Sequence, residues 1–202
     1  SLTKMTFSAT AQCTMPIPKS PIGLTWGPAT APVNVRFYLD PLCPDCIPAF
    51  TTINSLINKY GDKVCWNGCL LSLPFHTWSF TIQRTIEAVK SISPEKAKLV
   101  FADLFLKSQA NLNSKALAGK SEEEAVKFIH NWAAGISGLS YEQIKEKYDS
   151  DAVFFNARVE FKFACQNGIT GTPNYTINGA KTAINEKATI ENWESIIDPL
   201  LQ

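Results

Sequence analysis

The chain has 202 residues, 45% hydrophobic and 18% charged, which suits one globular domain with an elaboration and leaves no case for wholesale disorder. With 19 Lys and Arg against 18 Asp and Glu the net charge is +1, so no long-range field gathers phosphate backbones or anionic lipid, and nucleic acid is not an expected partner. No apolar run approaches the roughly 20 residues needed to span a bilayer, and Ser1-Leu2-Thr3-Lys4-Met5 lacks the apolar stretch of a signal peptide, so the chain reads as already processed. The six cysteines are an even number and too many for incidental core filler, which predicts an oxidising compartment: secreted, periplasmic or secretory-pathway lumen.

Residues 1–23 read as a proline-rich arm, because Pro16, Pro18 and Pro21, followed by Pro28 and Pro32 with Gly23 and Gly27, break any long helix or central strand. A short edge strand is predicted over Leu24 to Trp26. Val33-Asn34-Val35-Arg36-Phe37-Tyr38-Leu39 is rich in β-branched and aromatic residues and stops at Asp40-Pro41, as a central strand and turn do. From Pro44 to Tyr60 the apolar positions Ile47, Phe50, Ile53, Leu56 and Ile57 recur at three and four, and Gly61 supplies a stop, so an amphipathic helix is expected. Val64 to Leu73 returns to strand character. The strand–helix–strand order implies parallel pairing.

Between Thr77 and Gly168 nearly everything reads as helix, in segments near 79–91, 94–112, 121–135, 140–148 and 151–166, with starts such as Ser93-Pro94-Glu95 and Ser121-Glu122-Glu123-Glu124. After Gly168 come a strand over Asn174 to Ile177, the turn pair Asn178-Gly179, a short partner strand over Lys181 to Ile184, and a last helix from about Thr189.

The chemistry concentrates at Cys43-Pro44-Asp45-Cys46, where a strand ends and a helix begins. Cys43 is expected near the N-cap and Pro44 at the first helical position, so unpaired amides and the positive end of the helix dipole favour an anion at the Cys43 sulfur. Cys46, one turn on, faces the same way and can release a mixed disulfide by intramolecular attack. Cys43 is therefore read as the catalytic nucleophile and Cys46 as the resolving thiol.

Three blander readings compete. Cys43, Cys46, Cys65 and Cys69 form a two-pair pattern that resembles some zinc sites, but Cys65 and Cys69 on one strand lie about 13 Å apart and cannot close a tetrahedron. A purely structural Cys43–Cys46 disulfide closes too short a loop to be a useful staple. An inert relic of a redox fold used only for binding is the third. Cys65 and Cys69 are too far apart to bond each other, and Cys13 is the cysteine most in need of a tether, its partner left open. Trp66, Trp78, Trp132 and Trp193 are read as core packing.

Taken together, the order of elements, the Cys-Pro-Asp-Cys helix start and Gly171-Thr172-Pro173 before the last strand pair resemble the DsbA-like branch of the thioredoxin superfamily, over about residues 24 to 202. The resemblance implies an α/β thioredoxin-like fold, a central mixed sheet flanked by helices, built from 24–76 and 169–202 with an all-helical insertion over 77–168. Leu73-Pro74-Phe75-His76 looks like the strand-to-insertion junction. By the same resemblance Pro173 is a cis proline beside the Cys43 sulfur, and the Thr172 backbone is free to pair with an extended substrate. Pro44, Asp45, Thr172, Pro173 and His76 are the candidate substrate-binding residues, His76 being equally at home as a helix cap or packing residue.

Two departures stand out. Oxidising members keep a buried acid on the strand before the motif, where this chain has Phe37, so water or Asp45 is expected to carry the Cys46 proton. Asp45 stands where strongly oxidising members carry His, and its charge is expected to make a milder oxidant. The function implied is thiol–disulfide exchange with protein or peptide substrates, with no cofactor beyond the dithiol and no metal, aided by a redox partner protein or by glutathione. The alternatives are a redox-silent substrate-binding or chaperone-like module on the same fold, and a glutathione-linked transferase or isomerase.

Overall fold

The computed structural model describes residues 15–18 and 21–202. Cys13 and most of the arm lie outside the described residues. Two parallel strands form the centre: β2 (Val33–Leu39) and β3 (Val64–Leu70), in register from Val33 opposite Val64 to Leu39 opposite Leu70. Helix α1 (Cys46–Tyr60) makes the crossover between them. Antiparallel neighbours complete the sheet: β1 (Leu24–Trp26) on β3, β4 (Asn174–Ile177) on β2, and β5 (Ala180–Lys181) on β4, in the order β1-β3-β2-β4-β5. This is the mixed sheet of a thioredoxin-like fold.

β3 is buried along its whole length and β2 on both faces from Phe37 to Leu39, which explains their largely apolar character. Val33, Val35, Phe37 and Leu39, with Trp66 and Leu70, share a cluster with Phe50, Ile53 and Leu56 of α1. The alternate residues Tyr38 and Cys69 share a second cluster with Val159 and Ala164 of α6 (Asp151–Gln166). The two clusters follow the period-2 alternation of strand side chains. Gly68 is required on the first face, since a Cβ there would stand 2.6 Å from the Phe37 ring.

The helical block begins with α2 (Ser79–Ile92) and α3 (Pro94–Asp103) and continues through α4 (Glu122–Ser137) and α5 (Tyr141–Asp149) to α6. Its starts are local: Ser93 caps α3 with Pro94 in the first turn, and Ser121 with Glu124 and Ser140 with Gln143 form capping boxes. Helix α7 (Ile190–Ile197), capped by Thr189, sets Trp193 5.9 Å from Trp66 and 5.0 Å from Tyr175, ring to ring. Trp66 and Trp193 are fully buried, and Trp78 and Trp132 pack on the same cluster.

Four boundaries differ from the sequence reading. The helix expected over 94–112 ends at Asp103, continues as a π-helical turn over Leu104–Ser108 and finishes as a 3₁₀ turn over Gln109–Asn111. The wider turn keeps Leu104 and Phe105 in the core, Phe105 lying 5.5 Å from Phe50 ring to ring, while bringing Gln109 to the loop before α1. The strand expected to reach Leu73 stops at Leu70, because the backbone beyond it turns to other partners: Leu71 N–H donates to the Leu39 carbonyl and Leu73 N–H to the Asp40 carboxylate. The strand expected over 181–184 is the two-residue β5, shifted towards the turn. That turn holds Asn178 and Gly179 at φ of 48° and 83°, the left-handed pair that a tight hairpin needs. Lastly, α1 starts at Cys46 rather than Pro44, and Asp45 takes the cap position. The Cys43–Asp45 segment is instead a tight turn closed by Cys46 N–H to Cys43 O and Ile47 N–H to Pro44 O, both 3.1 Å.

Candidate active site

The site lies where β2 ends, α1 begins and the segment before β4 passes. Cys43 and Cys46 are both buried, at 7% and 0% exposure, whereas Pro44 and Asp45 between them are exposed. Cys43 Sγ lies 3.5 Å from the Thr172 carbonyl oxygen, and the Thr172–Pro173 peptide bond is cis. The chain thus brings residues 129 apart in sequence onto one sulfur.

The two sulfurs sit in opposite electrostatic settings. The Cys43 thiol is pulled down to about 6, first by the hydrogen bond that Cys46 donates to it, against the cost of burial, and then by Thr172 and the amides of Asp45 and Cys46. The amides at the helix start thus contribute, as the sequence suggested, but the Cys46 thiol contributes more. Cys46 is pushed well above the usual thiol range, chiefly by burial and then by the Cys43 anion beside it. The setting thus favours the anion at Cys43 and the protonated thiol at Cys46.

Phe37 is fully buried, so no acid occupies the β2 position beneath the dithiol. The buried acid is Asp40, three residues later and wholly inaccessible. Its Oδ1 accepts from Leu42 N at 2.6 Å, Cys43 N at 3.1 Å and Ser79 Oγ at 2.7 Å, and its other oxygen from Leu73 N. His76, the predicted groove residue, sets Nδ1 3.0 Å from Asp40 Oδ1 and its ring against the exposed Phe75. It meets the site through Asp40 rather than through either sulfur. Asp45, the carboxylate expected to carry protons, points to solvent, and Asp40 is the acid inside.

Asp40 was read from sequence only as the end of a strand. A local signal existed, since an Asp whose side chain accepts from the N–H two residues on is an Asx-turn. Ser79 and Gln109 carried no such signal, because they reach the loop from 39 and 66 residues away. Gln109 donates to the carbonyls of Pro41 and Cys43.

The other cysteines stand apart. Cys65 and Cys69 are buried on β3 and unpaired among the described residues, and Cys69 lies in the cluster on the α6 face, across the sheet from Cys43 and Cys46. A four-cysteine metal site is therefore not assembled, and among the described residues no group of three or more His, Cys, Asp and Glu is placed to hold a metal ion. Cys165 is exposed and unpaired among the described residues. No described helix is long and apolar enough to cross a membrane.

Comparison with known proteins supports the same frame. A family model described as thioredoxin matches residues 19–199. Among solved structures, a candidate protein-disulfide isomerase from Pseudomonas syringae is similar at 26% identity and a TM-score of 0.73, covering 87% of this chain and 97% of that one. BdbD from Bacillus subtilis is similar at 20% identity and a TM-score of 0.68, covering 89% and 92%. The thiol-disulfide exchange protein alpha-DsbA2 from Wolbachia pipientis is similar at 16% identity and a TM-score of 0.67, covering 88% and 87%. No curated protein sequence matches the chain.

Proposed function

The chain belongs to the thioredoxin family, and from that premise we propose that it is a DsbA-like thiol–disulfide oxidoreductase acting on protein or peptide substrates through Cys43 and Cys46. The observation that carries this reading is the division of labour between two adjacent sulfurs: Cys43 drawn down to about 6, and Cys46 held protonated beside it.

In the oxidised enzyme a substrate thiolate attacks Cys43 Sγ. The Cys43–Cys46 bond breaks, Cys46 leaves with the electron pair and takes up a proton, and a mixed disulfide joins Cys43 to substrate. A second substrate thiolate then attacks the substrate sulfur and expels Cys43 as thiolate, so the substrate is oxidised and the enzyme reduced. A stabilised Cys43 thiolate is the better leaving group and favours the reduced enzyme, which gives this direction at neutral pH. Run backwards, the same steps reduce or isomerise a substrate disulfide.

Substrate is proposed to lie extended along Thr172 and Pro173, with Pro44 and Asp45 between the cysteines, His76 beside Asp40 and the exposed Phe75 offering an apolar contact. No cofactor beyond the dithiol is invoked. A redox partner protein or glutathione is proposed to reset the pair, in a secreted, periplasmic or secretory-lumen setting.

Oxidative refolding of a reduced disulfide protein, together with insulin reduction, tests the reading. Cys43→Ser is expected to abolish both activities, and Cys46→Ser to trap mixed disulfides. Full activity in Cys43→Ser would sink the proposal and favour a redox-silent binding module.

A further inference from the structure

The active-site turn is held from two sides, and one side belongs to the helical block. Gln109 is buried at 6% exposure, and its Nε2 donates to the Cys43 carbonyl at 2.9 Å and to the Pro41 carbonyl at 3.1 Å. Both amide hydrogens are thus spent on the loop that carries the nucleophile. The orientation is forced, because the flipped amide would set its oxygen against two carbonyl oxygens. The Cys43 carbonyl also accepts the Cys46 N–H at 3.1 Å, so a single oxygen ties the turn between the sulfurs to a side chain 66 residues away.

Gln109 reaches this place because the polypeptide departs from α-helix just before it. The π-helical turn over Leu104–Ser108 closes with Gln109 N–H on the Leu104 carbonyl, and a 3₁₀ turn starts at Gln109 itself. Such wide turns recur where function needs a side chain re-aimed. Leu104 and Phe105 stay in the core beside Phe50 of α1, so the anchor is rigid. Asp40 grips the same turn from the opposite chemical side, accepting the Leu42 and Cys43 amides.

We propose that Gln109 is a positioning residue of the dithiol, through which the helical block fixes the Cys43 turn and so sets the reactivity of its sulfur. Two physical effects operate. The donor draws charge from the carbonyl of the residue that carries the sulfur. It also fixes the turn geometry that aims the Cys46 thiol and the helix-start amides at Cys43. This role rests on the oxidoreductase reading, and the wild-type protein serves as the control that separates the two.

Gln109→Met keeps the length and removes both donors. In the reduced protein its Cys43 alkylation profile is expected to move up by roughly half to one pH unit, with an equilibrium against glutathione shifted towards the disulfide form by roughly threefold or more. Gln109→Asn keeps an amide but draws it back by one methylene, and an intermediate shift is expected. Val100→Ala, a cavity in the buried part of α3, is the control for lost stability alone and is expected to leave the profile in place. A Gln109→Met or Gln109→Asn profile superimposable on wild type, or an equal shift in Val100→Ala, overturns the proposal. A wild-type Cys43 that reacts like an ordinary thiol removes the underlying function and the positioning role with it.

Discussion

Cys43 reacts according to who donates hydrogen bonds to it, and that can be measured directly. The thiol drawn to about 6 predicts that iodoacetamide modification of the reduced protein rises through a midpoint near pH 6, with Cys46 unreactive because burial keeps it protonated. A midpoint near the ordinary thiol value of about 8.5 would contradict the arrangement. Asp45 is exposed, and its carboxylate opposes an anion at Cys43 only through solvent. Asp45→His is therefore expected to lower the Cys43 midpoint further and make the pair more oxidising, by roughly 30 mV for each unit of change. An unchanged or more reducing potential would show that this charge does not reach the sulfur. Asp40 acts differently, its carboxylate accepting the amides of Leu42, Cys43 and Leu73 and the Ser79 hydroxyl. Asp40→Ala is expected to destabilise the fold by about 1–3 kcal/mol for each donor left orphaned, measured by urea unfolding. A loss below 1 kcal/mol would mean that water replaces the carboxylate. How near to the dithiol an acid stands was not readable from composition or motif, since the strand position beneath it holds Phe37 and the acid that serves the loop follows it by three residues.

At the scale of elements, the strands and capped helices announce themselves locally, while their endings answer to neighbours. Ser93, Ser121, Ser140 and Thr189 each accept the N–H three residues on, so a short sequence pattern suffices to place these helix starts. The break after Asp103 has no such pattern. It arises because Phe101 and Phe105 must both meet Phe50, at 5.2 and 5.5 Å between rings, and because Gln109 must reach the Cys43 carbonyl. The packing of β2 on β3 makes a similar demand on one glycine. Gly68→Ala would press its Cβ against the Phe37 ring and is expected to cost about 1–3 kcal/mol in chemical denaturation, with little change in thiol reactivity. If Gly68→Ala were neutral, Phe37 would have room that the packing does not show.

Across the whole molecule, the helical block and the sheet meet through buried polar groups that titrate. Glu160 of α6 is buried behind β3, where its carboxylate accepts from Leu70 N at 3.0 Å and Gln83 Nε2 at 3.2 Å. Burial nonetheless lifts it to about 7, outweighing the favourable charge of Lys90. A carboxyl group raised in the folded state holds a proton that the unfolded chain has released. Its contribution is full below the unfolded value near 4.5 and is lost as pH rises through about 7, a difference on the order of 3 kcal/mol. In a Cys43→Ser background, which removes the opposing titration of the thiolate, Glu160→Gln is expected to abolish this fall in stability between pH 5 and 8. Parallel pH profiles for the two proteins would place the Glu160 proton on water instead. The sheet itself separates Cys69 from the dithiol, so the four-cysteine grouping that the spacing allows is not one that the fold can assemble.

Periodicity and punctuation alone placed the two central strands, the crossover helix, the run of helices and the hairpin before the last helix, because these depend on residues within one turn or one strand of each other. The Cys-x-x-Cys spacing likewise placed the dithiol at a strand-to-helix junction. Tertiary structure alone decided which carbonyl faces Cys43, that Asp40 rather than Asp45 is the acid inside, and that Gln109 and Ser79 hold the loop. These are contacts between segments tens of residues apart. Their partners are chosen by how helices dock on the sheet, which no local pattern in the chain encodes.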